Sequence, residues 1–65
     1  MNLIEGLQKE LDRNKKLLKI YEAIPQGIFG ATMIKQTIKK AETSMANNDT
    51  VAMLKHYQKL RKIED

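Results

Sequence analysis

The sequence predicts an all-α fold: a small three-helix unit, with a long N-terminal helix followed by a helical hairpin, that assembles into a homo-oligomer. Three observations lead there. Apolar residues recur at helical spacing along most of the chain, and only three Gly and one Pro interrupt its 65 residues. A composition of 42% apolar and 31% charged residues suits a folded helical chain rather than a disordered one. Residues 1–65 read as a single helical domain, with no internal repeat, low-complexity tract or boundary between domains.

Residues 2 to 23 carry Ile4, Leu7, Leu11, Leu18 and Tyr21 in a 3-4 alternation, which makes one amphipathic helix. Asn14 occupies an expected apolar position. It is either a buried polar residue that fixes register at a seam between chains or an exposed residue at the edge of the stripe. Gly6, inside the helix, costs up to about 1 kcal/mol relative to alanine and predicts a frayed first turn.

Pro25 ends this helix, because proline disfavours helical geometry at Ile24 and lacks the amide that a continuing helix needs. A second helix is predicted from about Phe29 to Ala46, with Met33 or Ile34, Ile38, Ala41 and Met45 as its apolar positions. Asn47 and Asn48 suit a left-handed C-terminus, and Asp49 can cap the next helix through the amide of Val51 or Ala52. Residues 50 to 63 form the third helix, with Val51, Leu54, Tyr57, Leu60 and Ile63 on one stripe and Lys55, Lys59 and Lys62 opposite.

A chain this short hides only about 60% of the surface that its unfolded form exposes. With no cysteine and one histidine, disulfides and a structural metal are not at hand, so self-association is the support left to it. Leu3, Leu17, Ile20, Ile28 and Met53 are the apolar residues expected outside the chain's own core, at a subunit interface. No apolar run approaches the roughly 20 residues needed to cross a bilayer, and MNLIEGLQKE lacks the basic start and unbroken apolar stretch of a signal peptide. The expected location is cytosolic, with no membrane partner.

Catalysis has little support. A cysteine nucleophile is absent, and His56 has no carboxylate at helical spacing on either side. Asp12, Glu22 and Glu42 stand among lysines, as solvated surface carboxylates do. The chain is expected not to be an enzyme, to need no cofactor and to hold no metal.

The informative segment runs from Pro25 to Lys35, where Gly27 and Gly30 precede or open a helix that carries Thr32 and Lys35. Glycine lets backbone approach an anion closely, unpaired amides at a helix start point toward it, and Lys35 adds charge about a turn further on. GIFGATMIK lacks the spacing of a P-loop and follows no strand. The other reading is that the glycines only permit a sharp turn while Phe29 plugs the core. Phe29 is equally well placed to face a base. Tyr57 suits either core packing or stacking on a base, with Lys55, Lys59 and Arg61 around it.

The net charge of +4 favours an anionic ligand but is weak for a duplex-DNA binder. Residues 25 to 63 hold seven basic against two acidic residues, +5, whereas residues 1 to 24 amount to +1. If subunits bring two hairpins together, Lys35 and Arg61 from separate chains can surround one anion.

The run IPQGIFGATMIKQTIKKAETSMANNDTVAMLKHYQKL, residues 24 to 60, resembles a pattern of very small phage-encoded proteins: I-P-x-G-x-F-G, then M-I, A-E, and M-L-x-x-Y-x-x-L. Its matching positions are Pro25, Gly27, Phe29, Gly30, Met33, Ile34, Ala41, Glu42, Met53, Leu54, Tyr57 and Leu60. This pattern resembles the family of viral nucleotide sponges, the anti-CBASS type. The resemblance implies an oligomer, with a tetramer preferred, in the host bacterial cytoplasm. Such a protein would sequester a cyclic oligonucleotide signal of bacterial anti-phage defence without cleaving it.

On that reading Gly27 and Gly30 admit the ligand, the helix-start amides with Thr32 and Lys35 hold phosphate, and Phe29 or Tyr57 stacks on a base, with Arg61 nearby. Two other readings use the same residues: a helical protein-interaction module that inhibits a host enzyme, and weak binding of nucleic acid by the basic hairpin, with affinity that grows with polymer length.

Overall fold

The computed structural model describes residues 2–63. Three α-helices follow one another: α1, Leu3–Glu22; α2, Ile28–Ala46; and α3, Thr50–Lys62. A 3-10 turn, Pro25–Gly27, joins the first two. Among the described residues there is no strand, and no helix is long and apolar enough to cross a membrane.

The ends form as local chemistry requires. Asn2 caps α1, its side chain accepting from the Glu5 amide at 2.8 Å. Gly6 lies within this capped turn, buried beneath the ring of Tyr57, so the expected fraying is replaced by a packed contact. Between α2 and α3 the chain reverses through Asn48, whose φ of 52° is the left-handed turn residue, and the Asp49 amide donates back to the Ser44 carbonyl at 2.9 Å. Asp49 then caps α3 by accepting from the Ala52 amide at 3.1 Å.

One apolar cluster holds the helices together. Leu7, Leu11 and Leu17 come from α1, Ile34, Ile38 and Ala41 from α2, and Met53 and Leu60 from α3. Leu17 and Met53, expected at a subunit interface, are only 3% and 4% exposed inside this chain. In α1 the buried position after Asn14 is Leu17, and Leu18 is half-buried.

The face of α3 differs from the expected stripe. Val51 is 80% exposed and Leu54 lies on the surface, while Met53 and Leu60 are buried and Tyr57 half-buried. Five residues spaced by three cannot share a face, because each step falls about 60° short of a full turn at 3.6 residues per turn. Steps of four and then three, from Met53 to Tyr57 to Leu60, keep one face inward.

Asn14 is fully buried within the chain, so it neither lies at a seam nor is exposed. Its Nδ2 donates to the Glu10 carbonyl at 2.8 Å and to the Leu60 carbonyl at 3.3 Å. Beside it, Arg13 donates to the carbonyls of Leu60 and Ile63, each at 2.8 Å. These contacts tie the last turn of α3 to the middle of α1.

Gly6 meets Tyr57, and Arg13 meets Ile63, so α1 and α3 run parallel, with α2 antiparallel between them in the chain. At 1.5 Å per residue α3 spans about 20 Å and α1 about 30 Å. The third helix ends beside Arg13. Beyond it, only the last turns of α1 and the first turns of α2 remain.

Candidate functional site

Those remaining turns form a two-helix corner around the Pro25–Gly27 turn. Both glycines there pack closely against Tyr21. A Cβ on Gly27 would collide with the Tyr21 carbonyl, and one on Gly30 would stand 2.6 Å from the Tyr21 ring. The absence of side chains at Gly27 and Gly30 lets the carbonyl and ring of Tyr21 approach closely.

Phe29 does not plug the core. It is 86% exposed, and Ile28 beside it is 64% exposed. Met33, one turn after Phe29, is exposed, as are Ile20 and Ile24 on the α1 side. The core position of this stretch is taken by Ile34, fully buried.

A cavity of about 380 Å³ opens at the corner, lined by Glu22, Ile24, Pro25, Ile28, Ala31, Thr32 and Lys35. Thr32 and Lys35 therefore share one recess, as the sequence suggested. The Thr32 hydroxyl donates to the Ile28 carbonyl at 2.9 Å, which leaves its oxygen lone pairs as acceptors and commits its proton. Lys35 makes no salt bridge among the described residues. Glu22 is the member that sequence reasoning missed. It belongs to α1, and only the fold brings it opposite Lys35, where it can accept from N–H donors and opposes an anion placed too close.

Tyr57 and Arg61 lie elsewhere. The Arg61 guanidinium stands 5.6 Å from the centre of the Tyr57 ring, a cation–π pair, and that ring rests on Gly6. Gly6 and Tyr21 are about 22 Å apart along α1 at the helical rise. Within one chain the expected residues thus separate into Thr32, Lys35 and Phe29 at the corner and Tyr57 with Arg61 near the opposite end.

His56 is acted on by charges from both α2 and its own helix. Partial burial, then Lys40 of α2, then Lys55 and Lys59 of α3 hold its pKa below the usual 6.5, while Asp49 opposes them. Among the described residues, no three His, Cys, Asp or Glu side chains gather as metal ligands. No family of known proteins, no curated protein and no solved structure matches this chain.

Proposed function

We propose that this chain acts by binding, as an oligomeric viral sponge that captures a cyclic oligonucleotide signal of anti-phage defence and holds it uncleaved. The observation that carries the reading is the corner itself: an 86% exposed aromatic, Phe29, on the same two turns as a recess containing Thr32 and Lys35. A base stacks on a ring at the surface, and an ammonium group without a protein partner takes the phosphate. Glu22, across the recess, accepts from the N–H edge of a base.

Association belongs to the same reading. Ile20, Ile24, Ile28, Phe29 and Met33 leave on the order of 500 Å² of apolar surface at one end of a very small protein. A stable interface takes about 800 Å² from each partner, so a second copy covering this corner needs only a modest polar rim besides. It would also bring a second Lys35 to a ligand that has more than one phosphate.

Titration calorimetry against cyclic dinucleotides and trinucleotides tests the capture, with sedimentation of the free and bound protein beside it. Tight binding that is lost in Phe29→Ala and Lys35→Ala, with intact ligand recovered after heat denaturation, is the expected result. Binding unchanged in both variants would remove the corner from the site.

The same exposed side chains favour a second reading, an interaction module that docks this corner on a host protein. It predicts no nucleotide affinity in the parent protein, and loss of the partner rather than of a nucleotide in Phe29→Ala.

A further inference from the structure

A second recess, of about 460 Å³, lies between the C-terminal half of α2 and the first turns of α3; its bordering residues differ from those of the corner, and they begin at Lys39, one helical turn after Lys35. Lys39, Lys40 and Asn47 reach it from α2, and Asp49, Ala52 and His56 from α3. We propose that this α2–α3 cleft binds a phosphate monoester of about mononucleotide size, its phosphate held by Lys39, Lys40 and His56 and its apolar body laid over Ala52.

Charge is the first argument. Lys40, Lys55 and Lys59 stand close enough to act on one imidazole, Lys39 borders the same recess, and Asp49 is the one carboxylate that faces it. None of these four lysines makes a salt bridge among the described residues. Asp49 is already committed, its side chain accepting the Ala52 amide. An excess of cations around a recess bordered by a single engaged carboxylate is relieved by a bound anion.

Hydrogen-bonding capacity is the second argument. The carboxamide of Asn47, which lines the recess, has no hydrogen bond among the described residues. By contrast, the Thr43 and Ser44 hydroxyls are engaged with the carbonyls of Lys39 and Ala41. The free donors therefore belong to the groups suited to an anion. The recess also has room for more than a phosphate, and Ala52 with the lysine stems provides carbon surface for the rest of the ligand.

His56 reports occupancy. In the free protein burial and the three lysines lower the pKa of His56. A phosphate dianion beside it opposes that field, so binding raises the pKa of His56 and is accompanied by proton uptake.

The test is an NMR titration with adenosine monophosphate, with adenosine as the uncharged control. Expected are shifts of the His56 ring and the Ala52 and Asn47 amides with the monophosphate alone, and a rise of the His56 pKa at saturation. Affinity should weaken at least tenfold in the Lys39→Ala, Lys40→Ala double variant. Both are surface substitutions, and circular dichroism verifies the fold. No response to adenosine monophosphate up to 10 mM on the order expected of a weak site, or equal affinity in the double variant, overturns the proposal. Equal loss in Lys35→Ala also overturns it, since the ligand would then sit at the corner.

Discussion

Asn14→Leu tests the account of the core most directly. Asn14 is fully buried, and its Oδ1 is the buried side-chain atom left without a hydrogen-bond partner among the described residues. Leucine has the same branching and heavy-atom count, but its methyl groups are bulkier than the amide oxygen and NH2, and this overpacking costs about 1 kcal/mol. The substitution removes the bond to the Glu10 carbonyl and the long one, 3.3 Å, to the Leu60 carbonyl. Each contributes about 0.5–1.5 kcal/mol.

Neither carbonyl is abandoned. Leu60 O still accepts from Arg13 at 2.8 Å and from the Ile63 amide at 3.2 Å, and Glu10 O lies inside α1 and keeps its helical bond. On the other side, the substitution relieves about 1–3 kcal/mol of uncompensated desolvation at Oδ1. It also adds up to about 1.5–3 kcal/mol of apolar burial beside Leu17 and Leu60. Mid-range values leave a net stabilisation of about 1 kcal/mol. Urea unfolding followed by circular dichroism at 222 nm reads this as a higher midpoint at unchanged slope. Destabilisation by more than about 1 kcal/mol would refute the reasoning, because it would mean that Oδ1 has a partner whose loss outweighs the added burial. The oligomeric state should not change, since Asn14 is buried inside the chain.

Three further expectations follow from the same structure. Gly30→Ala forces the Tyr21 ring aside and should cost about 1–3 kcal/mol in the same urea assay, whereas a glycine present only for flexibility would tolerate alanine at little cost. Asp49→Ala removes the cap of α3 and should cost about 0.5–2 kcal/mol. It also takes away the group that raises the His56 pKa, so the histidine should titrate lower still by NMR. Because the folded pKa of His56 lies below its unfolded value of 6.5, the unfolded chain binds more protons in the window just under that value. Stability should be level above about pH 7 and fall as pH drops through 6.5; His56→Gln should flatten that slope, and added salt should reduce it.

The helix ends were legible because their signals are local. Pro25 stops α1, Asn48 turns left-handed, and Asp49 caps α3, each through its own backbone or side chain. The faces were less legible. Leu17 or Leu18 after Asn14, and Met53 or Leu54 in α3, are equally apolar neighbours, and the choice between them rests on packing by the other two helices. The same holds for the glycines. Sequence shows that Gly27 and Gly30 lack side chains, but what fills the space is Tyr21, six and nine residues earlier. Thr32 and Lys35 were found together because they lie on one helix; Glu22 was not, because the turn at Pro25 brings it across.

The length of α3 accounts for where the open chemistry lies. A helix of 13 residues that starts beside the end of α2 runs out beside Arg13, where two side chains hold its last carbonyls. Among the described residues, everything past that point on α1 and α2 lacks a third layer, so Ile20, Ile24, Ile28 and Phe29 are exposed there. Extending α3 by two turns would supply that cover. Grafting a seven-residue amphipathic helical extension after Ile63 should therefore raise stability in the urea assay. If the corner is a capture or association surface, the extension should abolish that activity while leaving the α2–α3 cleft open. Capture that survives in a chain shown by NMR to seat the extension on the corner would place the functional surface elsewhere on the bundle.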